Sequence, residues 1–331
     1  MSPVSAHIHE SVYKDIRSVV LENVRLAVTV IPESGGKIQS IYDKTLDREY
    51  LVQSPRSSYK RSGYDSRYAD GDASGFDEVF PSIEPCFYPL PPWRGIGVPD
   101  HGEVWALPWS CHSSGESLVL DAYGVRFPYR LEKTVRFTRE QTVTIQYRAR
   151  NLSDFDFSFI WAPHILLRCD EDTEIVLPPS VKQVMSTCSV DNRLGRFGTL
   201  HDWPETTVAG ERYRIDKVYP KYPGKCEKYY AVGTVEEGWC ALHNSGSGHT
   251  VGLSYPIDKV PYLGVWEGIM DGRYAAALEP CTGALDALDT AVQWNRAAVL
   301  PAKSSYEWDF NLTFDIVDRI RSIDRTGLIL T

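Results

Sequence analysis

The sequence predicts an all-β protein, a large antiparallel β-sandwich with few short helices. Three observations predict this fold. Apolar and polar residues alternate with a period of two in several segments, and turns rich in glycine or proline separate these segments. Alternate side chains of a strand point to opposite faces, so this period is typical of half-buried strands. The third observation is that helical periodicity is weak, and many strands with little helix favour a sandwich.

The strands follow from the alternation, in chain order. Apolar side chains recur at every second position in five segments, which are 24–30, 131–137, 143–149, 155–161 and 306–314. The polar turn 138–141 joins the second segment to the third, which predicts a β-hairpin.

Two short segments favour helix, and two long segments favour loops. The helical candidates are 284–293, which follows Gly283, and 316–323 near the C-terminus. The polar segment 54–75 and the proline-rich segment 85–99 predict long loops. Loops of such length in a compact domain are usually functional or disordered, and we expect these two to cover the mouth of a site.

Length and composition indicate an ordinary globular protein. The chain has 331 residues, of which 43% are hydrophobic and 24% charged. A typical size of about 150 residues per domain suggests two domains, but large β architectures exceed about 200 residues as one unit. Because no linker or internal repeat is visible, we expect a single domain over residues 1–331.

Charge and cysteine content exclude several classes of protein. The net charge of −9 disfavours nucleic acid and anionic membranes as partners, because both need clustered cations. No apolar run is long enough for a signal peptide or a membrane span. Seven cysteines without a CxxC pair argue against a disulfide framework and a structural zinc site. Reduced thiols predict a cytoplasmic protein.

Several common catalytic motifs do not occur in the sequence. It contains no G-x-S-x-G elbow, no G-x-G-x-x-G, no phosphate-binding G-x-x-x-x-G-K-[ST] and no H-E-x-x-H. His7 and His9 form an H-x-H pair that could bind a metal, but we expect them in a mobile N-terminus.

Glu279 is a candidate general base. It ends the apolar run 275–278, so its carboxylate is expected to be partly desolvated, which raises its pKa. A raised pKa suits a general base. Pro280 keeps Glu279 extended. The alternative interpretation is an exposed glutamate at the end of a strand.

Two histidines follow segments rich in turn-forming or aromatic residues. His164 comes after Pro163 and could be a general acid, a metal ligand or a hydrogen-bonded core histidine. His101 lies between Asp100 and Gly102. Because neighbouring side chains of an extended chain point apart, we expect His101 to be a loop histidine that Asp100 does not orient.

The order of these segments resembles the aldose 1-epimerase, or galactose mutarotase-like, superfamily along nearly the whole chain. The segments that carry the resemblance are 32–38, 77–81, 99–105, 161–164, 278–283 and 300–304. Two positions depart from the family's pattern. Lys37 stands after Gly36 where well-known members have an Asn-Arg pair, and Pro163-His164-Ile165-Leu166 replaces Asn-His-x-Tyr-Phe-Asn. These departures indicate a divergent branch.

The resemblance implies a galactose mutarotase-like supersandwich that interconverts the anomers of a free sugar. It implies that Glu279 is the base, His164 the acid, and that His101 binds the sugar ring. It further implies substrate contacts for four residues, for which a purely structural role is the alternative: Asp77, Lys228, Trp105 and Trp266. No cofactor or metal is expected, and the partner is a small sugar. A homodimer is one assembly that the sequence allows.

Two other functions remain open on the same fold. One is a non-catalytic protein that binds or senses carbohydrate, and the other is a polysaccharide lyase or hydrolase. The sequence does not determine which sugar binds, or whether that sugar carries a phosphate or an acidic group.

Overall fold

The computed structural model describes residues 4–218, 226–270 and 272–331, and the structural statements below concern these ranges. Strands β1 to β14 are His7–Tyr13, Ile16–Glu22, Leu26–Ile31, Lys37–Asp43, Arg48–Glu49, Phe76–Val79, Cys86–Phe87, Gly97–Val98, Ser110–Ser114, Ser117–Tyr123, Tyr129–Arg139, Thr142–Asn151, Phe157–Phe159 and Ala162–Ile165. Strands β15 to β29 are Leu167–Arg168, Thr173–Val176, Gln183–Ser189, Leu200–Asp202, Glu205–Val208, Glu211–Arg214, Cys226–Ala231, Trp239–Asn244, His249–Ser254, Tyr262–Met270, Arg273–Cys281, Ala298–Leu300, Ser305–Ile316, Ser322–Ile323 and Ile329–Leu330.

Helices are short and few in the described ranges. The α-helix α1 covers Leu288–Gln293, and three 3-10 helices cover Tyr68–Asp70, Val104–Ala106 and Val190–Asn192. None of these described helices has the length and the apolar character that crossing a membrane requires.

Three larger sheets contain most strands, and their paired strands are antiparallel. The first sheet has the order β1-β2-β3-β4-β6-β14, with β5 beside β4. The second has the order β16-β22-β23-β27-β12-β11-β10-β9, and the third β15-β25-β24-β21-β17-β18. Side chains from all three sheets join one buried hydrophobic cluster. The predicted all-β sandwich is confirmed.

A buried ion pair joins the first sheet to the second inside this core. Lys133 on β11 and Glu78 on β6 are both fully buried, and their Nζ and Oε1 atoms lie 2.8 Å apart. Glu78 Oε1 also accepts a hydrogen bond from the hydroxyl of Tyr147 at 2.9 Å, and Oε2 accepts one from Trp161 Nε1 at 3.1 Å. The carboxylate is therefore compensated on both oxygens, as a buried charge must be.

The predicted hairpin is confirmed, whereas the segment 155–161 differs from its prediction. Strands β11 and β12 pair over the expected turn, with Val135 opposite Ile145. The segment 155–161 contains β13 alone, which pairs with β26, and β14 begins beyond it and pairs with β6. The chain changes sheets between these strands, so a single continuous strand is interrupted there.

Two predictions of local structure are wrong, those for 316–323 and for His7 and His9, and one is partly right. The segment 316–323 is not helical, because β27 continues to Ile316 opposite His249 and β28 pairs with β29. Ile323 packs there in a small cluster with Trp239. His7 and His9 belong to β1, which pairs with β2 along its whole length. Helix α1 lies within the predicted segment 284–293 but covers only its second half.

The site described below forms where the first and third sheets meet. Strand β14 ends the first sheet, and after the buried Leu166 the chain enters β15 of the third sheet. The backbone N–H of Leu166 donates to Gly75, and its carbonyl accepts from Val52, which ties this junction to the first sheet's loops. Side chains of β14 and β25 are thereby brought into one region.

We expect Lys133→Met to destabilise the protein by about 3–5 kcal/mol, because it leaves the Glu78 carboxylate buried without its cation. Urea unfolding monitored by tryptophan fluorescence measures the change. The matched control is the double variant Lys133→Met with Glu78→Gln, which removes both charges and should recover part of the loss. An equal loss of stability in the single and double variants would show that the uncompensated charge of Glu78 is not the cause.

Candidate active site

Two histidines that are far apart in sequence lie close together. The ring centroids of His101 and His164 are 4.9 Å apart, and the rings are nearly perpendicular. Tyr68 contacts both, since its ring stacks on His101 at 4.1 Å and meets His164 edge-on at 4.8 Å. The predicted loop 54–75 supplies this tyrosine. Tyr68 has no specific signal in the sequence, because it is one of many polar and aromatic residues in that loop.

Asp100 orients His101, contrary to the expectation from the sequence. Asp100 Oδ1 and His101 Nδ1 lie 2.7 Å apart, and Asp100 Oδ2 accepts the backbone N–H of Tyr68 at 2.8 Å. The chain is not extended here, because His101 has φ +58° and Gly102 has φ +73°. Burial alone would raise the pKa of Asp100, but the hydrogen bond and charge of His101 lower it.

Asp77 and Lys37 form a buried ion pair beside the histidines. Asp77 is the register partner of His164 across β6 and β14, so the two side chains share a face. Its Oδ2 lies 3.1 Å from Lys37 Nζ and accepts the hydroxyl of Tyr68 at 2.9 Å. Burial raises the pKa of Asp77, and Lys37 offsets part of that rise. The ammonium of Lys37 also lies 3.8 Å from Asp72.

Lys37 is a residue of the site that the sequence did not indicate. It departs from the pattern of the family that the chain resembles, yet it is almost fully buried. Burial opposes the charged form of Lys37, but the neighbouring carboxylates outweigh that effect and raise its pKa. A lysine that begins an apolar strand directly after two glycines was the available signal.

Glu279 lies on the third sheet, in contact with Lys228. Lys228 on β21 is opposite Trp266 on β24, and Trp266 is opposite Ala277 on β25. Glu279 follows Ala277 by two residues on the same strand. These side chains therefore share a face, and Lys228 Nζ contacts Glu279 Oε2 directly. Glu279 is fully buried, so the alternative of an exposed glutamate is wrong. Burial raises its pKa, and Lys228 offsets part of that rise.

Asp286 is a second carboxylate of the site that the sequence did not indicate. Its Oδ1 lies 3.2 Å from Lys228 Nζ and accepts the hydroxyl of Tyr230 at 2.7 Å. Its Oδ2 accepts the hydroxyl of Thr187 at 3.1 Å. Asp286 follows a glycine-containing turn beyond β25, where an acidic residue is common, so its position in the sequence was not informative.

Electrostatics connect the histidine side of the site with the glutamate side. The charge of His101 lowers the pKa of Glu279 slightly. Burial, followed by the charges of His101 and Lys228, lowers the pKa of His164 well below its usual value. The lowered pKa favours the neutral imidazole and makes the protonated ring of His164 a stronger acid.

The two tryptophans of the prediction differ in their contacts. Trp105 is buried, and its Nε1 donates to the backbone carbonyl of Asp100 at 2.8 Å while its ring meets Tyr68 edge-on. These contacts favour the structural interpretation of Trp105. Trp266 is half-buried, with its ring centroid 6.4 Å from that of His164. Trp266 therefore remains a candidate face for a sugar ring.

Three buried polar atoms of the site have no hydrogen-bond partner in the described part of the protein. They are Oε1 of Glu279, Nδ1 of His164 and Oδ1 of Asp72. Buried polar atoms nearly always have partners, so unpartnered ones in a site indicate groups available to a ligand. Among the described residues, no group of three or more His, Cys, Asp or Glu side chains is arranged to hold a metal ion.

The fold that carries this site is the galactose mutarotase-like fold. The chain is similar to a galactose mutarotase-like protein from Lactobacillus casei ATCC 334, with a TM-score of 0.66 and 17% identity over 90% of this chain and 100% of that one. A galactose mutarotase-like protein from Clostridium acetobutylicum gives a TM-score of 0.66 and 12% identity over 94% and 99% of the two chains. A galactose mutarotase related enzyme from Lactobacillus acidophilus gives a TM-score of 0.62 and 15% identity over 90% of this chain and 97% of that one.

Comparison of the sequence alone is less informative than comparison of the fold. No family model matches the chain, and no curated protein matches it significantly. The resemblance to the superfamily is thus confirmed for the fold, with identities as low as a divergent branch would have. The chemistry of this chain has to be argued from its own site.

We expect Gly102→Ala to disturb the His101 turn and to destabilise the protein by more than about 1 kcal/mol. A Cβ on Gly102 would lie 2.0 Å from the carbonyl oxygen of Phe80, in addition to the cost of its positive φ. Gly95→Ala is the matched control, because Gly95 also has positive φ but open space around it. Thermal unfolding measures the loss of stability, and the histidine NMR resonances report the disturbance of the turn. An equal loss of stability in Gly102→Ala and Gly95→Ala would rule out the steric contact as the cause.

Proposed function

We propose that the protein is an aldose 1-epimerase that interconverts the α and β anomers of a free sugar by general acid–base catalysis. The observation that carries the proposal is that a buried carboxylate, Glu279, and a buried imidazole, His164, lie on the contacting strands β25 and β14, each with an unpartnered atom. The galactose mutarotase-like fold supports it. Acid–base chemistry of this kind needs one group on each side of the hemiacetal and no cofactor.

In the proposed reaction Glu279 Oε1 accepts the proton of the anomeric hydroxyl. The bond between C1 and the ring oxygen breaks, the C1 carbonyl forms, and the ring oxygen takes a proton from the protonated imidazole of His164, which becomes neutral. Rotation about the bond between C1 and C2 presents the other face of the aldehyde. The reverse proton transfers close the ring as the other anomer, so both groups return to their starting states.

The electrostatics of the site suit these roles. The raised pKa of Glu279 makes its carboxylate a stronger base than an exposed glutamate. The lowered pKa of His164 makes its protonated imidazole a stronger acid than that of an exposed histidine, which suits donation of a proton to the ring oxygen. The Asp100 contact holds His101 in a fixed orientation, in which it can donate to a sugar oxygen.

The remaining contacts of the sugar are also proposals. Asp77 accepts a sugar hydroxyl, Lys228 donates to one, and Trp266 provides an apolar face. Trp105 acts through Asp100 and does not stack on the sugar. All seven cysteines are free thiols, which supports a cytoplasmic location and a role in carbohydrate metabolism there.

We expect Glu279→Gln and His164→Ala each to lower the rate of anomer exchange by about 10²- to 10⁴-fold, because each removes one proton-transfer group. Exchange NMR on a panel of free aldoses measures the rate. Glu307→Gln is the control, since Glu307 is exposed and pairs with Arg148 at the surface. Saturable sugar binding without any catalysed exchange would instead indicate a binding or sensing protein.

We expect kcat/KM to fall as pH decreases through the raised pKa of Glu279, because protonation removes the base. Lys228→Met removes the cation that stabilises the carboxylate, so this fall should move to higher pH. The pH dependence of anomer exchange in the two proteins is the measurement. A shift to lower pH, or an unchanged profile, would show that Glu279 is not the titrating base.

A further inference from the structure

The contact between Glu279 and Lys228 raises a chemical problem for the proposed function. An ammonium group in direct contact with a carboxylate favours its charged form and weakens it as a base. Both side chains are buried, so solvent does not screen the attraction. A pair of this kind, isolated in a core, would be a poor acceptor of a proton from a sugar hydroxyl.

Asp286 changes this arrangement, because it shares the same ammonium. Lys228 Nζ contacts Glu279 Oε2 on one side and lies 3.2 Å from Asp286 Oδ1 on another. One positive charge therefore serves two buried carboxylates. The attraction that reaches Glu279 is diminished by the repulsion of a second negative charge close to the same cation.

Asp286 is itself firmly held by neutral hydrogen-bond donors. The hydroxyl of Tyr230 donates to its Oδ1 at 2.7 Å, and the hydroxyl of Thr187 donates to its Oδ2 at 3.1 Å. The backbone carbonyl of Asp286 accepts from Ile83 and Glu84, which fixes the turn that carries it. The ring of Tyr230 also lies 5.7 Å from Lys228 Nζ, beneath the ammonium.

We propose that Asp286 is a positioning residue that holds Lys228 between two carboxylates and so preserves the capacity of Glu279 to accept a proton. The inference rests on the proposed function, in which Glu279 is the base. Asp286 does not transfer a proton itself, since its two oxygens are occupied by Tyr230, Thr187 and Lys228, whereas Glu279 keeps Oε1 unpartnered.

Other charged and titratable groups around Glu279 act in known directions. Lys228 on β21 and His101 on its loop favour the carboxylate, and Asp286 opposes it. Cys281, on the same strand, is a buried thiol whose Sγ donates to the backbone carbonyl of Glu279. Its pKa is raised well above the usual value by burial and by Glu279, so it stays neutral and adds no charge.

The test is Asp286→Asn, which removes the charge and keeps the shape of the side chain. We expect the pKa of Glu279, followed by carbon NMR of its carboxyl group, to fall, because repulsion is lost and Lys228 is no longer shared. The acid limb of kcat/KM should move to lower pH, and kcat should fall by about 3- to 10-fold as the base weakens. KM should change little, since both oxygens of Asp286 are occupied by Tyr230, Thr187 and Lys228.

Three controls make the result specific. Asp286→Glu keeps the charge and should restore most of the wild-type titration. Asp43→Asn removes a buried, ion-paired aspartate on β4 and should leave Glu279 unaffected. In the Lys228→Met background, Asp286→Asn should have a smaller effect, because only the direct repulsion remains.

Each outcome has a defined meaning. An unchanged or raised pKa of Glu279 in Asp286→Asn overturns the inference, whether or not the protein is an epimerase. A lowered pKa without any anomer exchange by the wild type supports the inference for the site but overturns the proposed function. If Asp286→Asn does not fold, the wild-type titration decides: a Glu279 carboxyl resonance with a second step from a neighbouring carboxylate supports the coupling, and a single step overturns it.

Discussion

The buried contact of Glu78 with Lys133 is the interaction on which the rest of the structure depends. It fixes β6 of the first sheet against β11 of the second, and hydrogen bonds from Tyr147 and Trp161 complete it. Because adjacent residues of a strand point to opposite faces, fixing Glu78 in the core directs Asp77 out of the core into the site. The register of β6 with β14 then places His164 beside Asp77. A core interaction thus determines where half of the site lies.

Charge compensation recurs in the site itself, with a different outcome. In the core one carboxylate and one ammonium satisfy each other, and neither is available to a ligand. In the site each ammonium is shared, Lys37 between Asp77 and Asp72, and Lys228 between Glu279 and Asp286. Sharing leaves a carboxylate oxygen of Glu279 without a partner. A carboxylate–ammonium pair therefore stabilises the fold in the core, where one carboxylate meets one cation. In the site, where two carboxylates share one cation, the same kind of pair leaves a proton acceptor available.

The fold was largely predictable from sequence, and the predictions that failed did so for local reasons. Alternation is a property of neighbouring residues, so the hairpin of β11 and β12 and the long strand β27 could be recognised directly. The predicted helix at 316–323 was wrong because a short amphipathic pattern fits either a helix or a strand, and pairing of β28 with β29 decided it. Lys133 lies in the alternating segment 131–137, but nothing in the sequence identified Glu78 as its partner.

The sequence by itself determined the fold class, the segments that bear Glu279, His164 and His101, and the apolar surroundings of Glu279. Tertiary structure alone decided which charges meet, because Lys133 and Glu78 are 55 positions apart, and Lys228 and Glu279 are 51 positions apart, so that their contacts depend on how the strands pair and pack. It also decided that Asp100 orients His101, since a left-handed turn cannot be inferred from an extended pattern. Local alternation is a property of the sequence, whereas electrostatic partners meet only when strands that are far apart in the sequence are brought together.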